Sequence, residues 1–180
     1  MKRMFFLMSM LCFCVTCITA QDTKKKTIEE EWFQEAVDAI KENRFIIKFH
    51  AEDSRSKKRV SIDSRVNFLI VDGEYVAWQT AYDRDVDFRE INVHSGSQGL
   101  IGLKMNESKM SNIEVKNKKN GDVFCLVSIE GRSIQEAQIT LKKGTNDCLV
   151  KCKMKGGGMF RIGTLYPIDA TTVQKGEPFR

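Results

Sequence analysis

The sequence has little proline and, after its first 20 residues, little cysteine. Two prolines in 180 residues exclude a collagen-like protein. The composition also excludes coiled-coil and low-complexity classes, and the lack of a second long apolar run excludes a polytopic membrane protein. Of the six cysteines, Cys12, Cys14 and Cys17 precede residue 20. The rest of the chain must therefore fold through a hydrophobic core, which a domain of its size can build without a disulfide framework or structural metal.

The amino terminus has the residue order of a secretory signal peptide. Lys2 and Arg3 precede an uncharged apolar run, Met4–Ile18, and a small residue, Ala20, follows it. The run is about 15 residues long, whereas a helix needs roughly 20 to span a bilayer. We therefore predict that residues 1–20 are a cleaved signal peptide. Cleavage would lower the net charge from +5 to +3, because Lys2 and Arg3 leave with it.

This leader predicts a periplasmic or secreted protein whose mature chain has no transmembrane segment. A lipid-anchored envelope protein is the alternative, because a cysteine near the end of a leader is the lipidation site of bacterial lipoproteins. The residues before Cys17 are Cys14-Val15-Thr16, which do not form the run of small residues that precedes such a site. Simple cleavage is therefore the favoured prediction.

The mature chain reads as a linker (21–26), a single β-rich domain (27–168) and a polar C-terminal tail (169–180). Its first element is an amphipathic helix, Ile28–Glu42. The apolar face of this helix repeats at helical spacing and comprises Phe33, Ala36, Val37 and Ile40.

After Asn43 the apolar period changes from helical to two, which is typical of β-strands. In the first strand one face comprises Phe45, Ile47, Phe49 and Ala51, and the other comprises Ile46, Lys48, His50 and Glu52. Asp72-Gly73 and Asn120-Gly121 are hairpin signals between later strands. The further predicted strands are Val60–Ile62, Val66–Val71, Tyr75–Gln79, Ile91–His94, Ile113–Asn117, Asp122–Ile129, Gln135–Lys142, Asp147–Met154 and Met159–Leu165. One helix followed by short strands predicts a mainly β fold, an antiparallel barrel or sandwich.

The cysteines of the mature chain share strand faces with apolar residues. Cys125 lies on the face of Val127, and Cys148 and Cys152 lie on the face of Val150. In a simple meander one strand would separate Cys125 from Cys148, which is too far for a disulfide. We therefore predict three buried free thiols and no cysteine nucleophile.

No residue set predicts a catalytic, metal or cofactor site. His50 and His94 lack zinc-ligand spacing, and we expect both to be on the surface. The acidic cluster of Asp83, Asp85, Asp87 and Glu90 lacks the layout of an EF-hand and predicts a solvated turn. The glycines 156–158 lack the Lys-Ser or Lys-Thr of a phosphate loop and predict a hairpin connection.

The basic residues form two groups, one in a loop and one on late strands. The strand lysines alternate with apolar residues, as on a solvent-facing sheet surface. Nucleic-acid binding would require a larger excess of positive charge with interleaved exposed aromatic residues, and the leader also argues against it. An anionic glycan or lipid surface is the alternative partner. The residues are Arg55, Lys57, Lys58, Arg59, Lys142, Lys151, Lys153 and Lys155.

Several segments together carry a resemblance to a known family. They are the helix that leads into Asn43–Ile47, the strand Val66–Val71 with its Asp72-Gly73 turn, the segment Tyr75–Tyr82 and the closing Phe160–Leu165. This order resembles domain of unknown function 4251, a family of exported bacterial proteins common in Gram-negative gut anaerobes. The resemblance implies an exported β-rich envelope domain of barrel-like or lipocalin-like topology, and it implies no catalytic residues.

The leading functional hypothesis is an exported, non-enzymatic envelope domain that binds an unknown ligand or envelope protein. One alternative is a barrel that carries a small apolar ligand. Its candidate lining residues are Phe45, Ile47, Phe49, Phe124, Leu126 and Phe160. Another alternative is an unrecognised hydrolase, which would require a cleft where His50 or His94 meets carboxylates.

Overall fold

The computed structural model describes residues 27–53, 59–80, 100–130, 134–154, 157–173 and 176–178. The predicted signal peptide and linker, the acidic cluster and the predicted strand Ile91–His94 lie outside these residues. In the described ranges, no helix is long and apolar enough to cross a membrane.

The helix α1 covers residues 27–41, close to the predicted bounds. Its predicted apolar face is confirmed: Ala36 and Ile40 are fully buried, and Phe33 and Val37 pack against the same core. The helix is followed by Asn43, which has a left-handed φ of 56° and turns the chain into the first strand.

Ten strands follow α1 in the described part of the chain. They are β1 (Arg44–Asp53), β2 (Arg59–Ser61), β3 (Phe68–Asp72), β4 (Tyr75–Gln79), β5 (Leu100–Asn117), β6 (Val123–Glu130), β7 (Ile134–Leu141), β8 (Asp147–Met154), β9 (Gly157–Pro167) and β10 (Gly176–Pro178). A short 3-10 helix, η1 (Ile168–Ala170), lies between β9 and β10.

Eight of these strands form a closed antiparallel barrel. Around the barrel the order is β5, β4, β3, β1, β9, β8, β7 and β6, and β6 pairs with β5 to close the ring. The short β2 pairs with the end of β1, and β10 pairs in parallel with β5. The mainly β prediction is confirmed, and a barrel is the architecture observed.

Because side chains alternate between the two faces of each strand, the buried apolar residues form two clusters, a large one inside the barrel and a smaller one outside it. The interior cluster joins α1 to the inward-facing side chains of β1, β3, β4 and β6–β9. The outer cluster includes Ile46, Phe68 and Met105, and Ile168 and Val173 pack against it. The chain after β9 therefore lies against the outside of the barrel.

The two ends of the barrel differ. At the end where β1 begins, Ala36 and Ile40 of α1 join the interior cluster, and the Oε2 atom of Glu30 lies 3.7 Å from where a side chain at Gly144 would start. We call this the helix end. We call the opposite end, where β1 finishes, the Arg161 end, because the buried Arg161 of β9 lies there.

The predicted hairpin at Asp72-Gly73 is present, with its turn one residue later. Asp72 pairs with Tyr75, so the two turn residues are Gly73 and Glu74. Gly73 has a φ of 60°, a left-handed conformation that glycine adopts without steric cost. This tight turn fixes the register of β3 against β4.

Candidate functional site

The largest fully buried side chain among the described residues is a charged one, that of Arg161. It lies on β9 in the same inward-facing set as Leu165, and its exposed fraction is 0%. Transferring a guanidinium from water into a protein interior costs several kcal/mol unless anions and hydrogen bonds compensate. The groups that contact Arg161 must therefore compensate its charge, and they define the chemistry of this end of the barrel.

A β-bulge in β1 places a carboxylate beside Arg161. Phe49 pairs with Gly163 on β9, but the next pair is Ala51 with Ile162, so His50 is an extra residue in β1. The strand changes phase at this point, and Glu52 becomes the direct partner of Arg161. The Nη2 atom of Arg161 donates a hydrogen bond of 2.8 Å to Oε2 of Glu52.

The other donors of Arg161 meet weaker acceptors. The Nε atom donates to the thioether sulfur of Met159 at 2.9 Å, and Nη1 donates to Oδ1 of Asn67 at 3.4 Å. A guanidinium has five N–H donors, and a thioether is a weak acceptor. Every buried side-chain polar atom in the described residues has a partner, yet Arg161 has one strong acceptor only, the Glu52 carboxylate.

Two aromatic rings flank the guanidinium. The Cζ atom of Arg161 lies 5.4 Å from the ring centroid of Phe49 and 5.5 Å from that of Trp78. The two rings are 5.0 Å apart and tilted by 45°. The π face of each ring attracts the cation, and the two rings also exclude water from it. Among the described residues, the arrangement is a buried cation between aromatic rings with one carboxylate counter-ion, that of Glu52.

Polar contacts hold the connection between β2 and β3 at this end. The fully buried Asn67 donates from Nδ2 to the carbonyl of Asp63 at 2.8 Å, and Gln79 donates to the carbonyl of Val66 at 3.0 Å. Asp63 in turn accepts three side-chain contacts from Arg65, the shortest 2.6 Å. The hydrogen bonds from Arg65 hold the pKa of Asp63 below its usual value. Asn67 therefore reaches Arg161 from an anchored segment.

The three predicted inward-facing cysteines lie as expected. Cys125, Cys148 and Cys152 are buried and free, and β7 separates the first from the other two. Burial raises the pKa of Cys125 and of Cys152 to about 12, and it also raises the pKa of Cys148. At neutral pH these thiols are protonated, which makes them poor nucleophiles.

His50 is exposed at the bulge, in agreement with its predicted surface position. Its backbone carbonyl accepts a hydrogen bond of 3.0 Å from the amide of Ile62. Within the described ranges, no ion pair joins its ring to a carboxylate, and no group of three or more His, Cys, Asp or Glu residues is placed to hold a metal ion. His94 and the acidic cluster lie outside those ranges.

The strand lysines face solvent, as predicted. Lys142, Lys151 and Lys153 are exposed, and the Nζ atom of Lys151 lies 5.6 Å from the ring centroid of the exposed Phe160. These lysines therefore cover the outer surface of β8 and β9. Arg59 is also exposed, whereas Arg55, Lys57, Lys58 and Lys155 lie outside the described residues.

Sequence reasoning missed the pair of Arg161 and Glu52. The period of two placed Glu52 with Lys48 and His50 on the outer face, and that expectation is wrong because the bulge shifts the phase of β1 by one residue. The alternation along β9 is a usable signal. Arg161 is four residues, an even number, from the inward-facing Leu165, so the two side chains are expected on the same face of the strand. A charged residue at a strand position that faces the core marks a candidate functional site.

The candidate lining of an apolar cavity is divided between the two faces of the barrel. Phe45, Ile47 and Phe49 belong to the interior cluster. Phe124 and Leu126 alternate with the inward-facing residues of β6 and point outward, and Phe160 is 40% exposed. The expectation that these last three line the interior is wrong.

A comparison with solved structures shows a likeness in fold. No protein-family model matches the chain, and no curated protein matches it. A crystal structure of a DUF4251 family protein from Bacteroides eggerthii matches with a TM-score of 0.62 and 24% sequence identity. The match covers 81% of this chain and 94% of the other. It supports the resemblance to domain of unknown function 4251, and at this identity it shows a shared fold.

Proposed function

We propose that this chain is an exported bacterial envelope domain that binds a ligand or partner at the Arg161 end of its barrel and does not catalyse a reaction. The leader at residues 1–20 and the resemblance to a family of exported proteins support the location. The binding role rests on Arg161 and its surroundings. The setting is the cell envelope, in the periplasm or outside the cell.

The observation that carries this proposal is the fully buried guanidinium with one strong acceptor. Replacing a buried ion pair by apolar residues of similar size is often neutral or stabilising, so folding alone is a weak reason to keep such a pair. A buried cation whose one strong acceptor is a partly exposed carboxylate suits recognition of an anionic ligand, because the ligand can take the place of that carboxylate.

The test compares the mature wild type with Arg161→Met in a thermal-shift screen of small anionic, neutral and cationic metabolites. We expect compounds that raise the Tm of the wild type and leave that of Arg161→Met unchanged. Lys151→Met is the matched control, since it removes an exposed cation one strand away, and it should respond as the wild type does. Hits that stabilise all three proteins equally, or no hits, would contradict the proposed site.

Export is tested separately by fractionating a Gram-negative host that expresses residues 1–180. We expect a periplasmic or secreted protein whose first residue is Gln21. A membrane-bound form modified at a cysteine would support the lipid-anchored alternative. Protein that keeps Met1 in the cytoplasm would contradict export.

The apolar-carrier alternative keeps some support from the apolar interior, to which Phe45, Ile47 and Phe49 contribute. A carrier of neutral ligands would bind them equally well in the wild type and in Arg161→Met. The same thermal-shift screen therefore separates the two hypotheses. The hydrolase alternative gains no support from His50, whose contacts in the described residues run through its backbone.

A further inference from the structure

We propose that the ligand is a monocarboxylic acid with an apolar body, an inference that rests on the proposed binding function. Its carboxylate would bind the Nε and Nη2 edge of Arg161, where the Met159 thioether and the Glu52 carboxylate now lie. Its apolar body would lie against Phe49 and Trp78. Glu52 then acts as an internal substitute for the ligand when the site is empty.

The donor geometry supports a carboxylate. Two parallel N–H groups on one edge of a guanidinium match the two oxygens of a carboxylate, which gives a bidentate, charge-assisted pair. In this structure that edge is divided between two side chains, with Nε 2.9 Å from the sulfur of Met159 and Nη2 2.8 Å from one oxygen of Glu52. A ligand carboxylate would replace the weak contact with the Met159 sulfur and the one-oxygen contact with Glu52 by a bidentate pair.

The two side chains that now occupy this edge are more exposed than the buried Arg161. Met159 is only partly buried and has an unbranched, flexible side chain, so its thioether can rotate away from Nε. The side chain of Glu52 is 17% exposed and stands one residue before the end of β1, so its carboxylate can turn towards solvent. The opposite side of the guanidinium keeps its contact with Asn67 at 3.4 Å.

Charge selects a monoanion over a phosphate. In the described residues, the charged group in contact with Arg161 is Glu52, and no ion pair there adds a second cation to the site. A dianion would retain an uncompensated charge between Phe49 and Trp78, where burial in apolar surroundings is costly. A monocarboxylate neutralises Arg161 and releases Glu52 to water.

The experiment uses the mature protein carrying Trp32→Phe, which leaves Trp78 as its single tryptophan. Trp32 is 49% exposed, whereas Trp78 is 3% exposed and beside the guanidinium, so its fluorescence reports on the site. Octanoate and dodecanoate are titrated as monomers, each against its neutral primary alcohol. We expect the acids to change Trp78 fluorescence at concentrations about tenfold or more below those of the alcohols.

Two variants test the geometry in the same background. Glu52→Gln keeps the size of the side chain but removes its charge, so each acid should bind about tenfold more tightly while the alcohols do not change. Arg161→Lys keeps the charge but cannot form the bidentate pair, so the preference for acid over alcohol should fall about tenfold. Equal binding of acid and alcohol, no binding of either, or weaker acid binding in Glu52→Gln would overturn the carboxylate proposal.

The outcome also separates this inference from the proposed function. If the metabolite screen yields Arg161-dependent hits that are neutral or cationic, the site stands and the carboxylate assignment is wrong. If it yields no Arg161-dependent hit, the binding function itself is wrong.

Discussion

Glu52 and Arg161 are direct cross-strand partners in β1 and β9, and one extra residue, His50, makes them so. The bulge turns a side chain that would face solvent into the barrel, where it forms an ion pair with a fully buried cation. Bulges are found next to functional sites because they redirect single side chains without altering the rest of a sheet. Here the redirected side chain occupies the proposed binding edge of Arg161.

Glu52→Ala should destabilise the fold. Removing the carboxylate leaves the guanidinium buried without its anion, and we expect the free energy of unfolding to fall by about 2–4 kcal/mol. Urea denaturation at neutral pH measures the effect. Glu74→Ala is the control, because Glu74 pairs with Lys109 at 2.9 Å on the exposed surface. That variant should unfold like the wild type, and equal losses in the two variants would argue against a buried charge.

Gly163→Ala should damage the contact between β1 and β9. A Cβ atom at this position would lie 2.6 Å from the backbone oxygen of Lys48 and 2.8 Å from a side-chain carbon of Ile47. We expect a loss of about 1–3 kcal/mol, since neither strand can retreat without breaking the register that pairs Arg161 with Glu52. Gly158→Ala, whose Cβ would meet nothing closer than 3.5 Å, is the matched control on β9. Comparable losses would show that the close approach is not restrictive.

The three cysteines should be inert in the folded protein. Because burial raises their pKa values, to about 12 for Cys125 and Cys152, we expect no reaction with a thiol reagent at pH 8. After unfolding in denaturant without a reductant, residues 21–180 should react with a stoichiometry of three. Fast labelling of the native protein would contradict the burial of these thiols, and a stoichiometry of one would reveal a disulfide.

Asp63 should contribute a pH-dependent part of the stability. Its pKa is lowered in the folded state by hydrogen bonds from Arg65, from a usual value of 3.8. A lowered pKa stabilises the fold above the unfolded-state value, and this stabilisation is lost as the pH falls through the folded-state value. Asp63→Asn should therefore lower the Tm at pH 7, and the difference from the wild type should shrink towards pH 2. A difference that is constant with pH would contradict the role of the charge.

The elements that the sequence predicts well are those defined by patterns among neighbouring residues. The helical period of α1 and the alternation in β6–β8 require only neighbouring residues, and their bounds lie within one or two residues of prediction. Barrel closure depends on two features that local patterns do not reveal. The pairing of β1 with β9 joins segments far apart in the chain, and β5 pairs with β4 and then with β6 along different parts of its length, with a register shift after Met110. Strand β5 was predicted from Ile113 but starts at Leu100, because polar residues such as Asn106 and Glu107 interrupt the apolar pattern.

The candidate site was harder to predict for a physical reason. Glu52 faces Arg161 only because of the bulge at His50, and the sequence around His50 has no local signature of a bulge. Asn67 lies just before β3 and Trp78 lies on β4, and only the fold of the barrel brings them to Arg161. The site is therefore a property of register and topology.

The most direct test of the binding centre is the NMR signal of the Nε–H proton of Arg161. In the free mature protein this proton faces the sulfur of Met159. On addition of dodecanoate we predict a large downfield shift, because a charge-assisted bond to a carboxylate replaces the weak bond to a thioether. Dodecanol should leave the signal in place. A signal that is unmoved by a carboxylate that binds the protein would contradict the assignment of Arg161 as the binding centre.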